Sequence, residues 1–317
     1  MLRLHAADHA VADNQAFDAA WIDLYNPTRE EELAMEARLG VLLPTREDMA
    51  EIEASSRLYL ENGVAFMTAQ VAFFGGQAHL QSGPVTFVLA GRRLVTIRYI
   101  DPASFGIFAS HIDKSPVLCL DGTTAFLNLL DVIIDRTADL IEKTQGQIDE
   151  LSRSIFTRQR KGRLEDVLLL LGNAQNDIVK IRDSLVTFAR LTAFAAGLDP
   201  ALTRGAHPDN REFQDRLHTM SQDVTSLSDH ATYVSGNIAF LLDAALGLIN
   251  VEQNAVMKVI SVTSVVFLPL TLIASIYGMN FEHMPFLHNP DAFWTSIVMM
   301  AAIAVALIWW FRMKRWV

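Results

Sequence analysis

The stretch YGMNFEHMP, residues 277–285, lies between two long apolar runs and contains groups that could bind a cation. Gly278 suits the C-terminus of a helix, because the left-handed backbone conformation is inexpensive only for Gly or Asn. A helix that ends there leaves its last carbonyl oxygens unpaired, at the negative end of the helix dipole. Asn280 adds a neutral amide oxygen. These groups predict a site of oxygen dipoles without fixed charge.

Such a site suits a cation that keeps its water shell. Mg2+ dehydrates reluctantly and commonly retains several waters, so a ring of neutral oxygens around an axis would hold it loosely. Loose binding matters because a conducted ion must leave as well as enter. Glu282 and Asp291 are the acidic residues of the same segment. We expect them to raise the cation concentration at its mouth.

Two uncharged runs, residues 259–277 and 292–311, flank this segment. Each is close to the ~20 residues that cross ~30 Å of hydrocarbon as a helix. Two such runs in succession argue against the buried helix of a soluble protein. We therefore predict a transmembrane pore domain at residues 254–317. Its parts are a first span at about 257–277, an external loop at 278–291, a second span at about 292–311 and a basic tail at 312–317.

Basic residues lie at the outer ends of both runs. Lys258 is near the start of the first span, whereas Arg312, Lys314 and Arg315 follow the second. The connecting segment carries acidic residues but neither Lys nor Arg. The positive-inside rule therefore predicts that both termini are cytoplasmic and that the short acidic loop is external. The first residues, MLRLHAADHAVADNQ, have no apolar core or cleavage site, so we expect no signal peptide.

The N-terminal part, residues 1–121, is predicted to be an α/β cytoplasmic subdomain. WIDLYNP indicates a strand that ends at a proline turn. TREEELAMEARLG has a Thr cap, acidic first-turn residues and a terminal Gly, which indicates a short helix, and PTREDMAEIEA repeats that start signal at Thr45. RLYLENGVAFMTAQVAFF and VTFVLAGRRLVTIRYI indicate hairpins. We expect a small antiparallel or mixed sheet, flanked by helices, that ends near Pro102.

From about Gly122 the sequence changes to long helical segments, which we assign to a cytoplasmic stalk or funnel at residues 122–253. Two of them keep apolar residues at three- and four-residue spacing. After a loop at 197–210, residues 211–277 are predicted to form one helix of roughly 100 Å, at 1.5 Å per residue. The predicted fold class is an α+β cytoplasmic domain followed by long helices and two C-terminal transmembrane helices.

One face of this last long helix is mostly small and polar where a coiled coil would bury Leu or Ile. Each Ser or Thr alone is most simply bonded to backbone or to a neighbouring helix. A whole polar stripe requires polar surroundings, because unsatisfied polar groups in hydrocarbon are costly. The second run offers almost no polar partners, so we interpret the stripe as the lining of a water-filled pore built by several copies. Its members are Asp243, Gly247, Asn250, Asn254, Met257, Ser261, Ser264, Leu268, Thr271, Ser275 and Gly278.

Composition argues against several other classes of protein. The single cysteine, Cys119, allows neither an internal disulfide nor a cysteine-rich zinc site. The net charge of −10 argues against a nucleic-acid partner. The nine histidines are scattered, and the sequence has no glycine-rich phosphate loop and no nucleophile elbow. We therefore expect no enzyme, no catalytic residues and no resident cofactor.

The segment NAVMKVISVTSVVFLPLTLIASIYGMNFEHMP, residues 254–285, resembles the CorA family of divalent-cation transporters, the two-transmembrane GxN group. WIDLYNPTREEE and EIEASSRLYLENG are also similar to that family, so the resemblance covers nearly the whole chain. It implies a homopentamer with a funnel-shaped cytoplasmic domain in a bacterial-type inner (plasma) membrane. It also implies passive uptake of Mg2+, extending to Co2+ and Ni2+. The matching positions are Asn254, Met257, Lys258, Phe267, Pro269, Thr271, Tyr277, Gly278, Met279, Asn280 and Phe281.

The resemblance implies roles for individual residues. Gly278, Met279 and Asn280 would form the selectivity filter, with Asn280 holding hydrated Mg2+ through the ion's waters. Met257, Ile260 and Leu268 would be hydrophobic constrictions of the pore, and Asp243 would form an acidic ring. Asn254, Met257, Ile260, Leu268 and Thr271 would match the family's pore-lining positions. The predicted pore lining combines these residues and Asp243 with four further residues of the stripe, Asn250, Ser261, Ser264 and Ser275.

Two further features follow from the same resemblance. Lys258, Arg312, Lys314 and Arg315 would form a cytoplasmic basic collar. Mg2+ would also be a regulatory ligand of the cytoplasmic domain, at sites that no motif in this sequence locates.

The loop leaves alternatives open. The Mg2+-transporting branch usually reads Met-Pro-Glu-Leu, whereas this chain has Phe286 in place of the Glu, so its loop acids are Glu282 and Asp291. His283 and His288 would suit zinc, which makes a Zn2+ transporter of the ZntB branch the alternative within transport. A membrane-anchored coiled-coil scaffold without transport is the alternative from another class, and the polar stripe argues against it.

Overall fold

The computed structural model describes residues 2–5, 19–51, 53–76, 79–157, 164–200, 210–279, 291–314 and 316. The chain divides into two compact units, Met1–Leu242 and Asp243–Val317. The three-part division predicted from the sequence, with boundaries after residues 121 and 253, stays a prediction.

The described strands form one six-stranded mixed sheet in the first unit. The order across the sheet is β1-β2-β6-β5-β4-β3. Strands β2 and β6 are parallel, and the other neighbouring pairs are antiparallel. The predicted mixed sheet is confirmed, and β1 is an addition that the sequence patterns do not indicate. The strands are β1 (Leu2–His5), β2 (Trp21–Tyr25), β3 (Leu58–Glu61), β4 (Val64–Phe74), β5 (Leu80–Ala90) and β6 (Arg93–Arg98).

Two tight turns produce the predicted hairpins. Asn62 and Gly63 connect β3 to β4 with φ of 51° and 78°. Positive φ at both central residues is the geometry of a two-residue hairpin loop, and Asn-Gly is its preferred sequence. Gly91, with φ of 58°, begins the turn from β5 to β6, where Ala90 pairs with Arg93. Both predicted hairpins are confirmed.

The predicted helix starts at Thr28 and Thr45 are also confirmed. Each threonine side chain accepts a hydrogen bond from the backbone N–H of the third helical residue, Glu31 or Asp48, whose carboxylate binds back to the threonine N–H. Such capping boxes satisfy two orphan donors at a helix start. The helices are α1 (Arg29–Leu39), α2 (Arg46–Ala50), α3 (Ala54–Arg57), α4 (Ala103–Lys114), α5 (Gly122–Phe156), α6 (Leu164–Ala196), α7 (Asn210–Tyr277) and α8 (Ala292–Met313), with a 3-10 turn at Pro116–Cys119.

Helices α5 and α6 pack on the sheet through the apolar stripes that the sequence predicts. The ring of Phe126 on α5 meets Phe87 of β5 edge-on, with centroids 5.9 Å apart. From α6, the Ser184 hydroxyl donates a hydrogen bond to the Gln70 carbonyl oxygen at 2.7 Å. Apolar burial and a few side-chain bonds to strand backbone thus fix these long helices against the sheet.

A buried polar network joins β2 to β6. The guanidinium of Arg98, fully buried, binds both carboxylate oxygens of Asp23 at 2.8–3.2 Å. Thr96 donates to Asp23 at 2.9 Å and accepts from the Trp21 indole N–H at 3.0 Å. A buried charge requires such complete pairing, because the desolvation penalty is otherwise uncompensated.

Helix α7 contains 68 residues and confirms the single helix predicted for residues 211–277. Helix α8 contains 22 residues. Both are long and apolar enough to cross a membrane. Large side chains of α8 are exposed, including Phe293 (64%), Trp294 (67%) and Val305 (67%). An apolar surface of this extent is stable in lipid rather than in water, which supports the two predicted spans.

Replacing Asp23 with Ala is expected to destabilise the protein by about 3–5 kcal/mol, because it leaves the buried Arg98 charge without its carboxylate. Thermal unfolding of the purified full chain in detergent measures the loss as a lower Tm. The matched control is Asp101→Ala. Asp101 also binds Arg98, but its side chain is 59% exposed and remains solvated, and Asp23 still pairs the buried charge in this variant, so a smaller loss of about 1 kcal/mol is expected. Equal losses in the two variants would contradict the role of the buried pair.

Candidate functional site

Helix α7 ends at the Gly-Met-Asn stretch, as the sequence predicts. Gly278 donates its N–H to the Ala274 carbonyl oxygen at 2.9 Å, which continues the four-residue ladder. Met279 instead donates to the Ile276 carbonyl oxygen, three residues back, at 3.3 Å. The last turn therefore takes the tighter 3-10 hydrogen-bond spacing where the helix ends.

Several predicted loop and tail residues cannot be placed. They lie outside the described residues: Asn280, Glu282, His283, Phe286, His288 and Arg315.

The conformation of Gly278 differs from the left-handed one expected from the sequence. Its φ does not lie in the positive region. A Cβ at this position would lie 3.1 Å from the Ala274 carbonyl oxygen and 3.6 Å from that of Ser275. The expectation of a left-handed cap is therefore wrong, and close approach to the last-turn carbonyls explains the glycine. A left-handed conformation and a close approach both favour a residue without a Cβ, so a glycine in the sequence does not distinguish between them.

All ten predicted pore-lining residues lie on α7, and all their side chains are exposed. The three proposed constriction residues are Met257, 59% exposed, Ile260, 53% exposed, and Leu268, 73% exposed. A pore lining and a lipid-facing surface both leave side chains exposed in a single chain. The pore assignment of these residues thus stays a prediction.

The hydroxyl groups of the stripe are partly satisfied within the helix itself. Ser264 donates to the Ile260 carbonyl oxygen at 2.9 Å, and Thr271 donates to that of Leu268 at 3.0 Å. Hydroxyls bonded in this way are tolerated in hydrocarbon, so they do not by themselves require water. Within the predicted span, the stripe therefore indicates a surface of small residues more than a set of unsatisfied polar groups.

The described charged residues near the ends of α8 lie where they suit the dipole of that helix, and the predicted membrane orientation stays a prediction. Asp291 lies at the N-terminal end of α8, where a negative charge is favourable, and its carbonyl accepts the Thr295 N–H at 3.0 Å. Arg312 and Lys314 are exposed at the C-terminal end of α8, where positive charge is favourable. Lys258 is exposed on α7.

The predicted regulatory metal sites stay unlocated. Over the described ranges, no group of three or more His, Cys, Asp or Glu side chains could hold a metal ion. An acidic pocket between α5 and α7 contains an ion pair of Asp131 and Arg216. Burial raises the pKa of Asp131, and the positive charge of Arg216 opposes that rise. Its lining residues are Asp131, Glu212, Asp215, Arg216, Thr219 and Met220.

Comparison with known proteins decides the family. The family described as "CorA-like Mg2+ transporter protein" matches residues 18–315. The chain is 30% identical over 299 residues to the magnesium transport protein CorA of Salmonella typhimurium, which covers 94% of this chain and 92% of that protein. The chain belongs to the CorA-like family of Mg2+ transporters. Membership in a transporter family also supports the expectation that it is not an enzyme.

Solved structures support the same fold. The complete CorA magnesium transporter of Methanocaldococcus jannaschii matches with a TM-score of 0.77 at 18% identity, over 98% of this chain and 94% of that one. The cytoplasmic domain of ZntB from Vibrio parahaemolyticus matches with a TM-score of 0.52 at 9% identity, over 73% and 87% of the two chains. At these identities the likeness shows the fold alone. The predicted CorA-like fold, an α+β domain with long helices and two apolar C-terminal helices, is confirmed.

The close approach at Gly278 yields a stability test. Gly278→Ala is expected to lower Tm or leave it unchanged, because the added Cβ would press on the Ala274 carbonyl oxygen. Gly236→Ala, in the interior of the same helix, is the control, since a Cβ there meets no atom within 4 Å outside the neighbouring backbone of its own helix. That control is expected to gain about 0.5–1 kcal/mol from alanine's higher helix propensity. Thermal unfolding of the full chain measures both, and an equal gain in the two variants would contradict the close approach.

Proposed function

We propose that the protein is a passive, channel-like transporter that admits Mg2+ to the cytoplasm across the inner (plasma) membrane. The observation that carries this proposal is the family match over residues 18–315, which includes the Gly-Met-Asn stretch at the end of α7. The Salmonella relative is named a magnesium transport protein. A membrane potential that is negative inside favours entry of a divalent cation, so uptake requires no further energy source.

The proposed filter is formed by Gly278, Met279 and Asn280. The last carbonyl oxygens of α7 lie at the negative end of its dipole. Asn280 adds an amide oxygen that accepts hydrogen bonds from the waters of hydrated Mg2+. A site without fixed charge binds the ion weakly enough for it to leave, which conduction requires. Glu282 and Asp291 raise the cation concentration at the external mouth.

The proposed pore is formed by α7 from several copies, as a homopentamer. Met257, Ile260 and Leu268 form hydrophobic constrictions that exclude water when the pore is closed. Asp243 contributes an acidic ring below them, and Lys258, Arg312, Lys314 and Arg315 form a cytoplasmic basic collar. The remaining lining residues are Asn250, Asn254, Ser261, Ser264, Thr271 and Ser275.

Both termini are cytoplasmic in this proposal, because the basic residues follow α8 and the loop between the spans carries only acids. Mg2+ is the transported ion and also a regulatory ligand of the cytoplasmic unit. The protein has no resident cofactor and no nucleic-acid partner.

Mg2+ flux into vesicles reconstituted with Asn280→Ala is expected to fall at least about tenfold, since each filter subunit loses a hydrogen-bond acceptor to the ion's waters. The control is Asn173→Ala, which removes an exposed amide of α6 and should leave flux unchanged. Both variants should retain the wild-type assembly size. Undiminished flux in Asn280→Ala would refute the filter assignment, and a particle far smaller than a pentamer would refute the pore.

Zinc is the second candidate ion, because His283 and His288 lie in the loop and Phe286 replaces the usual acid. A competition flux assay with Mg2+, Co2+, Ni2+ and Zn2+ separates the two candidates. We expect Mg2+ flux to be inhibited by Co2+ and Ni2+, and to be unchanged in the double variant His283→Ala/His288→Ala. Zn2+ flux that exceeds Mg2+ flux and is lost in that variant would favour the ZntB-like function instead.

A further inference from the structure

We propose that the exposed face of α7 continues the ion pathway into the first unit, where Phe240 of each copy forms a further hydrophobic constriction. The inference rests on the proposed function, because it needs several copies of α7 to enclose a pore. Phe240 precedes the predicted first span, which begins at about residue 257. The constrictions already proposed, Met257, Ile260 and Leu268, all lie in the second unit.

The position of Phe240 on α7 follows from the spacing of the polar stripe, which advances by alternating steps of four and three residues. Continued backwards from Asp243 within the same helix, these steps reach Phe240, Gly236 and Tyr233. Phe240 also lies seven residues before Gly247, and residues at that spacing form one row along a supercoiled helix. Phe240 therefore shares its face of α7 with the stripe that we interpret as a pore lining.

The opposite face of α7 is buried within the same chain, where Ile238 is fully buried. On one side α5 approaches, and Nε2 of His230 lies 2.7 Å from Oε1 of Gln145. On the other side α6 approaches, and the Gln175 amide donates a hydrogen bond to the Ser235 hydroxyl oxygen at 3.1 Å. Helices α5 and α6 thus cover this side of α7, and the face with Phe240 stays open in a single chain.

Two aromatic side chains project from the open face. Phe240 is 60% exposed and Tyr233 is 64% exposed, and over residues 211–242 these two are the exposed large hydrophobic side chains. A single exposed apolar residue is ordinary, whereas two aromatic rings in one row indicate a neighbour that covers them. A second copy of α7 fits, because the same face leads into the proposed pore. A Cβ at Gly236, between the two rings, meets no atom within 4 Å outside the neighbouring backbone of its own helix, which leaves room for that copy.

Phe240 suits a constriction better than Tyr233 does. The hydroxyl of tyrosine binds water, whereas the ring of phenylalanine is wholly apolar. Several such rings around an axis exclude water when the pore is narrow, and Mg2+ is excluded as well because it gives up its waters reluctantly. Asp243, at the next step along the stripe, concentrates cations beside this constriction. Phe240 thus controls the passage of ions between the proposed acidic ring and the cytoplasm.

A cysteine at position 240 tests whether this residue lines the pathway. Cys119, the single native cysteine, is fully buried, and burial raises the pKa of its thiol to about 12, so it should not react with thiol reagents. In Phe240→Cys, a short bismaleimide should join copies into cross-linked oligomers. Cd2+ on both sides of reconstituted vesicles should reduce Mg2+ flux at least about tenfold, because thiolates bind it. Phe156→Cys on α5 is the matched control and should show neither effect, since Phe156 is 59% exposed.

Two further substitutions test whether the apolar character of Phe240 matters. Phe240→Asn is expected to raise Mg2+ flux about tenfold, because the narrow state then no longer gains from burying an apolar ring. Phe240→Leu keeps an apolar side chain and should remain within about twofold of wild type. Phe156→Asn is the control and should conduct like wild type. The assembly size of each variant is measured alongside its flux and should match that of wild type.

The inference is overturned if wild type conducts Mg2+ but Cd2+ leaves the flux of Phe240→Cys unchanged. Cross-linking without sensitivity to Cd2+ would place the residue at a contact between copies outside the pathway, which likewise excludes a constriction. Equal flux in Phe240→Asn and Phe240→Leu would also overturn it. If wild type carries no Mg2+ flux, the proposed function is refuted and this inference with it.

Discussion

Hydrocarbon cannot form hydrogen bonds with a peptide group, and this constraint governs both apolar helices of the second unit. Along their length the backbone groups pair within the helix, except at Pro269 of α7, which has no N–H to donate to the Val265 carbonyl oxygen. The hydroxyls of Thr263, Ser264 and Thr271 bond to carbonyls of their own helix. Apart from such a proline, a helix leaves carbonyl oxygens without an intrahelical donor at its C-terminal end, where the last four are unpaired. The end of α7 at Gly278 is therefore the place where this helix has several adjacent backbone oxygens without an intrahelical donor.

The geometry of that end explains why a glycine is found there. The N–H of Gly278 still donates to the carbonyl four residues back, as in an α-helix, whereas that of Met279 donates to the carbonyl three residues back. The hydrogen-bond spacing therefore changes from four to three residues at these two positions. A side chain at Gly278 would press against the Ala274 carbonyl oxygen and displace the oxygens of the final turn. The missing Cβ thus leaves these carbonyl dipoles in place, and loose coordination of a hydrated ion by them is what the proposed filter would require.

Local features of the structure were predictable from the sequence, and distant ones were not. Each capping box, at Thr28 and Thr45, and the Asn-Gly hairpin turn involve residues within three or four positions of one another. A short segment of sequence therefore contains all the residues that define them. The parallel pairing of β2 with β6 joins residues more than seventy positions apart, and no local pattern reports it. The place of the Gly-Met-Asn stretch between two apolar runs marks it in the sequence. The conformation of Gly278 is not predictable in this way, because a glycine at a helix end has two physical explanations.

The buried Arg98 connects the sheet to the start of α4. One side of its guanidinium binds Asp23 of β2, and the other binds the Ile100 carbonyl oxygen at 2.8 Å and the Asp101 carboxylate at 2.7 Å. Its guanidinium carbon also lies 4.5 Å from the centroid of the Phe105 ring, in the first turn of α4. Because Asp101 immediately precedes the N-cap of α4, the same charge that joins two strands fixes where that helix begins. The position of the first turn of α4 thus depends on the integrity of the buried Asp23–Arg98 pair.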